Sequence, residues 1–206
     1  MQELERAASK VAPTNIPILI TGESGTGKEI LADHIHRLSP KGSQPMAKVV
    51  CAFLNRESLS AHFNGQSNGD AQTGTLFLKE ISELDPTGQR TLVYSLPQED
   101  CSPAHNSCGP RLISSTTRNL EQEVRAGQFR ADLYYQISAA TLSLPPLRQR
   151  TEDIPTLVEF FLVKYFGSSG PYASALRSAR FHSSAAISVA GQYSGTGKCG
   201  EKDCRS

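Results

Sequence analysis

A glycine-rich segment at residues 22–29 places the strongest constraint on the fold of this 206-residue chain. Its sequence is Gly-Glu-Ser-Gly-Thr-Gly-Lys-Glu; it follows a short apolar run at residues 16–20 and precedes a segment with helical apolar spacing. Strand, glycine-rich loop and helix in this order are typical of a phosphate-binding loop. The glycines let backbone amides turn toward an anion, and the helix N-terminus adds positive charge. The alternative is an ordinary glycine-rich turn before a helix.

The predicted nucleotide contacts are consecutive in the sequence. They are Gly22, Glu23, Ser24, Gly25, Thr26, Gly27, Lys28 and Glu29. Lys28 is placed to reach the outer phosphates as a point charge, whereas Glu29 stands where Ser or Thr would bind magnesium in the general pattern. The ligand that this loop implies is a nucleotide.

Composition excludes several other classes of protein. Hydrophobic residues make up 38% and charged residues 20% of the chain, which is enough for one domain with a sizeable core. The net charge of +1 gives no electrostatic case for nucleic acid or an anionic membrane. The apolar runs are too short for a signal peptide or a membrane span, so we expect a cytoplasmic protein. The five cysteines are an odd number without a zinc-type spacing, so neither a disulfide framework nor a metal site is predicted.

Apolar runs and helical spacing alternate along the chain. Strands are predicted at residues 16–20, 49–51, 75–78, 112–115 and 139–144. Helices are predicted from the phosphate loop to about residue 38, at 57–63, at 86–96 and at 120–129, after an N-terminal helix within residues 1–15. Asp85 and Pro86 form a helix start, and Asp153 is predicted to cap an amphipathic helix that follows Pro146. This alternation predicts an α/β fold with a mostly parallel sheet flanked by helices, with the ligand at the carboxyl ends of the strands.

Further segments, in order along the chain, resemble one family. Together with the phosphate loop, residues 35–39, 74–78, 129–135 and 144–155 resemble the sigma-54 interaction domain, the AAA+ ATPase module of bacterial enhancer-binding transcriptional activators. The resemblance implies an AAA+ α/β nucleotide-binding subdomain at residues 1–146 and a partial helical lid at 147–193. Residues 194–206 diverge from the family.

The resemblance implies roles for two further residues and a set of partners. Glu80 corresponds to the glutamate that orients the attacking water, and Arg130 to one of two arginine-finger positions. In the family, ATP binds between neighbouring subunits of a ring, and its hydrolysis moves a loop that remodels sigma-54 RNA polymerase. We therefore expect a homo- or hetero-oligomer with related AAA+ subunits. The chain is expected to be at most the central module, without the regulatory domain or the DNA-binding domain of a full member.

Four positions depart from the family's hydrolytic machinery. Lys79 stands where an aspartate helps to hold magnesium, so an ammonium takes the place of a dication unless its long stem turns to solvent. Val50 replaces the asparagine that positions the glutamate, and Thr117 replaces the sensor asparagine. Gln136 replaces the second finger arginine. Magnesium is therefore a doubtful cofactor.

Two segments also depart from the family's output and lid. Residues 64–73 are too few to form the loop that contacts sigma-54, and they lack its motif. Residues 194–206 abandon the pattern that closes the lid, including its nucleotide-sensing arginine. A frameshift and a truncated reading frame are both open explanations.

The sequence predicts an ATP-binding AAA+ module of a sigma-54-dependent transcriptional regulator with weak or no hydrolysis. One alternative is a non-enzymatic interaction module or gene remnant without useful nucleotide affinity, which the disrupted lid favours. The other is an active ATPase that remodels sigma-54 RNA polymerase, which the retained Lys28, Glu80 and Arg130 favour.

Overall fold

The structure is a computed structural model that describes residues 2–54, 56–63, 73–96, 109–158 and 161. The chain divides after Pro146 into two compact units. The described strands of the first unit are β1 (Ile18–Thr21), β2 (Met46–Val50), β3 (Thr75–Lys79), β4 (Arg111–Thr116) and β5 (Ala140–Ser143). Its described α-helices are α1 (Gln2–Val11), α2 (Lys28–Arg37), α3 (Arg56–Phe63), α4 (Pro86–Ser95), α5 (Leu120–Arg125) and α6 (Ala131–Ile137).

The five strands form one parallel sheet in the order β2-β3-β4-β1-β5. Ile18 of β1 lies opposite Ile113 of β4 on one side and Ala140 of β5 on the other. Because all strands run the same way, their carboxyl ends meet at one edge of the sheet. The α/β prediction is confirmed, and β1 leads into the phosphate loop at that edge.

Both faces of the sheet are buried. In β3, Leu76 and Leu78 join one apolar cluster, whereas Phe77, between them, joins the other. Residues of α3, α4, α5 and α6 cover the first face, and residues of α1 and α2 cover the second. This two-sided burial explains why the central strands are recognisable as nearly continuous apolar runs.

Arg111 is a buried charged residue that connects the end of α1 to the start of β4, at the amino-terminal edge of the sheet. It is 2% exposed at the start of β4, and its guanidinium donates hydrogen bonds to the carbonyls of Ala12 (2.7 Å) and Val11 (3.0 Å). These carbonyls end α1, where a cation is favourable for the helix dipole. Burial lowers the pKa of Arg111.

Two of the predicted segments differ from the structure, and one helix lies where none was predicted. The second strand lies at Met46–Val50 rather than at residues 49–51, because β2 is an edge strand whose Lys48 interrupts the apolar pattern. Cys51 begins a short 3₁₀ turn instead. The helix predicted at 120–129 ends at Arg125, close to Gly127 with φ 72°. The finger segment, to which no element was assigned, contains α6.

The predicted helix start at Asp85 is confirmed, since its side chain accepts a hydrogen bond from the Gly88 amide at 3.0 Å. In the second unit, Leu147–Gln149 and Thr151–Asp153 form 3₁₀ turns, and residues 154–158 are helical. The rest of the predicted amphipathic helix after residue 158, apart from residue 161, lies outside the described residues. So do the predicted contact-loop segment at 64–72, residues 97–108 and the divergent tail. Within the described part, no helix is long and apolar enough to cross a membrane.

Cys51 is expected to resist alkylation in the folded chain. Burial, with the negative charges of Glu83 and Glu80, raises its pKa to about 12, and only the thiolate is reactive. Iodoacetamide labelling at pH 8, followed by peptide mapping, measures Cys51 separately from the other cysteines. Labelling of the native chain as fast as that of the guanidinium-unfolded chain would contradict this expectation.

Candidate functional site

The loop between β1 and α2 has the shape that the sequence pattern requires. Gly27 has φ 95°, a left-handed conformation that is strained for any residue with a Cβ. A Cβ on Gly22 would lie 3.0 Å from both the Leu144 carbonyl oxygen and Thr26 Oγ1, so a larger residue would collide there. Lys28, the first residue of α2, is 9% exposed. The loop therefore presents a helix N-terminus and one buried ammonium at the same place.

Lys28 folds back over the loop. Its Nζ donates hydrogen bonds to the carbonyls of Gly22 at 2.9 Å and Glu23 at 3.0 Å, and lies 3.5 Å from Glu80 Oε1. These contacts hold the ammonium above the loop.

Glu80, directly after β3, is held by Thr117 after β4. Its Oε2 accepts hydrogen bonds from the backbone N–H of Thr117 at 2.8 Å and from the Thr117 hydroxyl at 2.9 Å. Glu80 has φ 55°, the one left-handed non-glycine residue of the described chain, a conformation that typically costs about 1–3 kcal/mol. The main-chain amide of Thr117 thus supplies a hydrogen-bond donor to Glu80 that the type of side chain at position 117 does not reveal.

Lys79 is half exposed, yet its ammonium stays close to the phosphate loop. Its Nζ lies 3.7 Å from Glu29 Oε2, while Lys48 contacts Glu29 at 3.0 Å and Asp33 at 2.9 Å. The hydrogen bond from Lys48 is the largest of the influences that lower the pKa of Glu29, and the bond to Asp33 is the largest of those that raise the pKa of Lys48. Val50, opposite Lys79 in the β2–β3 register, adds no polar group. The carboxylate that follows Lys28 is therefore engaged by two ammonium groups.

Arg130 is fixed at the start of α6. Its guanidinium donates hydrogen bonds to both carboxylate oxygens of Asp132, at 3.0 and 2.6 Å, which raises the pKa of Arg130 and lowers that of Asp132. Its backbone N–H donates to Gln89 Oε1 on α4 at 3.0 Å. Gln136 lies farther along α6, and its buried Oε1 accepts no hydrogen bond from the described residues. The two finger positions therefore share one helical segment.

The sequence patterns did not predict the residues that position the candidate site residues through hydrogen bonds and ion pairs. Gln89 is 2% exposed and donates to the carbonyls of Leu84 and Gln128, so it fixes the backbone that carries Arg130. Lys48 of β2 lies between the carboxylates of Glu29 and Asp33 on α2 and contacts both of them. No local motif marks these residues, because their partners lie far away in the sequence.

The parallel sheet order, with a phosphate loop between its interior strand β1 and α2, defines this molecule as a domain with the P-loop AAA+ fold. The chain belongs to the sigma-54 interaction domain family, whose sequence profile matches residues 1–143.

Individual proteins agree with this assignment. The chain is 40% identical over 183 residues to a Nif-specific regulatory protein of Herbaspirillum seropedicae, which covers 80% of this chain and 34% of that protein. It is 37% identical over 183 residues to the transcriptional regulatory protein ZraR of Klebsiella oxytoca, covering 80% of this chain and 41% of ZraR. The chain thus spans between a third and just over two fifths of the length of these relatives.

A solved structure is also similar. The crystal structure of NtrX from Brucella abortus in complex with ATP matches with a TM-score of 0.67 and 29% identity, over 88% of this chain and 47% of NtrX. That protein was therefore solved with a nucleotide bound.

Proposed function

We propose that this chain is a nucleotide-binding module of a sigma-54-dependent transcriptional regulator that hydrolyses ATP at or near the background rate. One observation carries the proposal. A complete phosphate loop with its buried Lys28 lies beside Lys79, an ammonium at the position where the family has a magnesium-binding aspartate.

The loop supports binding of ATP or ADP. Its glycines adopt left-handed or closely packed positions, and Lys28 already makes contacts that a phosphate oxygen could replace. The related NtrX was solved with ATP, which favours the same ligand class here.

The residues around the loop do not fit magnesium. Magnesium prefers oxygen ligands in octahedral geometry, usually one or two carboxylates with phosphates and waters. The acid at position 79 is replaced by a cation, Glu29 is engaged by Lys48 and Lys79, and Glu80 is engaged by Thr117 and Lys28.

Low turnover follows from the same charges. Phosphoryl transfer depends almost wholly on positioning and on stabilising developing negative charge. Glu80 remains to orient a water and Arg130 remains as one finger arginine, but Gln136 is neutral. An arginine finger is worth about 10³-fold or more in rate. The loss of the second finger arginine, combined with the loss of metal binding, would therefore leave little catalysis.

The family suggests the partners. We propose that the chain assembles with related AAA+ subunits, as a homo- or hetero-oligomer, and that sigma-54 RNA polymerase is the target of such an assembly. The segment at 64–73 is the expected position of the polymerase-contacting loop and is short. A module of this kind would act by joining subunits that carry the contact loop themselves.

Phosphate release at saturating ATP with magnesium is expected to be indistinguishable between the wild-type chain and Lys28→Ala. The reason is that a site without metal ligation leaves hydrolysis at background whether or not nucleotide binds. A coupled phosphate-release assay measures this, with saturation established separately by nucleotide titration. Lys10→Ala on α1 removes the same charge away from the loop and is the matched control.

Two results would separate the alternatives. Turnover typical of P-loop ATPases that Lys28→Ala abolishes would contradict the proposal and favour an active ATPase that remodels polymerase. Absence of nucleotide binding in the folded wild-type chain would favour the interaction module or gene remnant.

A further inference from the structure

Two lysine–glutamate doublets pair crosswise at the phosphate loop. Lys28 and Glu29 open α2, and Lys79 and Glu80 follow one another at the end of β3. The ammonium of Lys28 lies 3.5 Å from Glu80 Oε1, and that of Lys79 lies 3.7 Å from Glu29 Oε2. The sheet register brings the two doublets together. Leu78 of β3 and Leu19 of β1 both pair with Ser114 of β4, so β3 and β1 end near the same level. Lys79 and Glu80 and the phosphate loop that leads to Lys28 and Glu29 therefore lie at the same carboxyl-terminal edge of the sheet.

Each glutamate of this crossed arrangement has a second partner. Glu29 keeps Lys48 at 3.0 Å, and Glu80 keeps the Thr117 amide and hydroxyl at 2.8 and 2.9 Å. Either lysine can therefore leave its glutamate without stranding a charge.

Lys79 has the weaker attachment of the two lysines. Its side chain is 50% exposed and its ion pair with Glu29 is long, and exposed pairs of this kind contribute little to stability. Exchange of this pair for a phosphate contact therefore costs little, while phosphate offers more negative charge than one carboxylate. The long lysine stem gives the ammonium the reach that such an exchange requires.

We propose that both lysines exchange their glutamates for the phosphates of a nucleotide that carries no bound divalent cation, and that Lys79 supplies the counter-charge that a metal ion would otherwise supply. The ligand class is a metal-free nucleoside di- or triphosphate. This inference rests on the proposed nucleotide binding. It implies an inverted magnesium effect, since a bound dication lowers the charge of the ligand and repels the ammonium of Lys79.

Equilibrium titration of the full chain with ATP, in EDTA and in excess magnesium chloride at equal ionic strength, tests the sign of the effect. Ionic strength must be matched because it screens exposed charges. We expect the wild-type chain to bind ATP about tenfold more tightly in EDTA than in magnesium. For AMP, which lacks the outer phosphates, we expect no difference between the two solutions.

Three variants locate the effect. Lys79→Met is expected to weaken binding in EDTA about tenfold and to remove the preference for metal-free ATP. Lys79→Asp is expected to reverse the order, so that magnesium tightens binding. Lys10→Met, a matched loss of charge on α1, should behave as the wild-type chain does. Thermal unfolding without nucleotide checks that each variant is folded, as expected for a half-exposed side chain.

The outcomes are distinguishable. Wild-type binding that requires magnesium, or affinity in EDTA that Lys79→Met leaves unchanged, would overturn the inference while nucleotide binding stands. Absence of saturable binding in both solutions would overturn the proposed function and this inference with it.

Discussion

Lys28→Ala is expected to weaken ATP binding by at least about 100-fold. The Lys28 side chain is 9% exposed, and two backbone carbonyls hold its ammonium over the loop, so it meets a phosphate without first being ordered. Hydrogen bonds to charged groups contribute about 1.5–3 kcal/mol each, and two lost phosphate contacts reach about 100-fold. Titration with a fluorescent ATP analogue measures the change.

The control for this prediction is Lys10→Ala, which removes one positive charge from the exposed side of α1. Its affinity should stay within about twofold of the wild-type value, because α1 ends beside Arg111 at the start of β4, whereas the phosphate loop follows the carboxyl end of β1, and salt screens exposed charges. Equal affinity of wild type and Lys28→Ala, both folded, would mean that the nucleotide binds elsewhere than in the phosphate loop.

Arg111→Met is expected to lower the free energy of unfolding by about 3 kcal/mol. The substitution keeps an apolar stem but leaves the carbonyls of Val11 and Ala12 without their charged donor, at about 1.5–3 kcal/mol for each hydrogen bond. Relief of the burial of the charge offsets part of this loss. The melting temperature should fall by roughly 6–12 °C, given about 2–4 °C per kcal/mol in a chain of this size.

Arg125→Met provides the comparison, since Arg125 is exposed in the last turn of α5 and should change stability by less than about 0.5 kcal/mol. Arg111→Lys should recover part of the loss, because one ammonium cannot match the planar fork that donates to both carbonyls. Equal stability of Arg111→Met and Arg125→Met would show that water satisfies the end of α1.

The central strands were predictable because a parallel sheet covered on both faces leaves apolar runs in the sequence. Leu76, Phe77 and Leu78 are all buried although they face two different clusters. The edge strand β2 was misplaced by the same logic, since Lys48 on it contacts charged residues and breaks the run. An apolar run therefore locates a strand that is buried on both faces better than it locates a partly exposed edge strand such as β2.

The site was predictable where it is contiguous in sequence and hidden where it is not. Residues 22–29 form one motif, so their placement between strand and helix could be anticipated. The hydrogen bond from Thr117 to Glu80 comes from the main-chain amide, which is present whatever residue occupies position 117 and so leaves no signal in the sequence. The pairing of Lys79 with Glu29 joins residues 50 positions apart in the sequence and depends on the register of β3.

The residues at which this chain departs from its family and the residues that stabilise its fold differ in their exposure to water. Val50 and Lys79 end β2 and β3, and Thr117 follows β4; all three keep much of their surface in water, whereas Arg111 and the apolar clusters are buried. Substitutions at the first set cost the folded state little, because they remove few buried contacts. A screen that scores members of this family by expression or melting temperature would therefore be insensitive to substitutions at these positions.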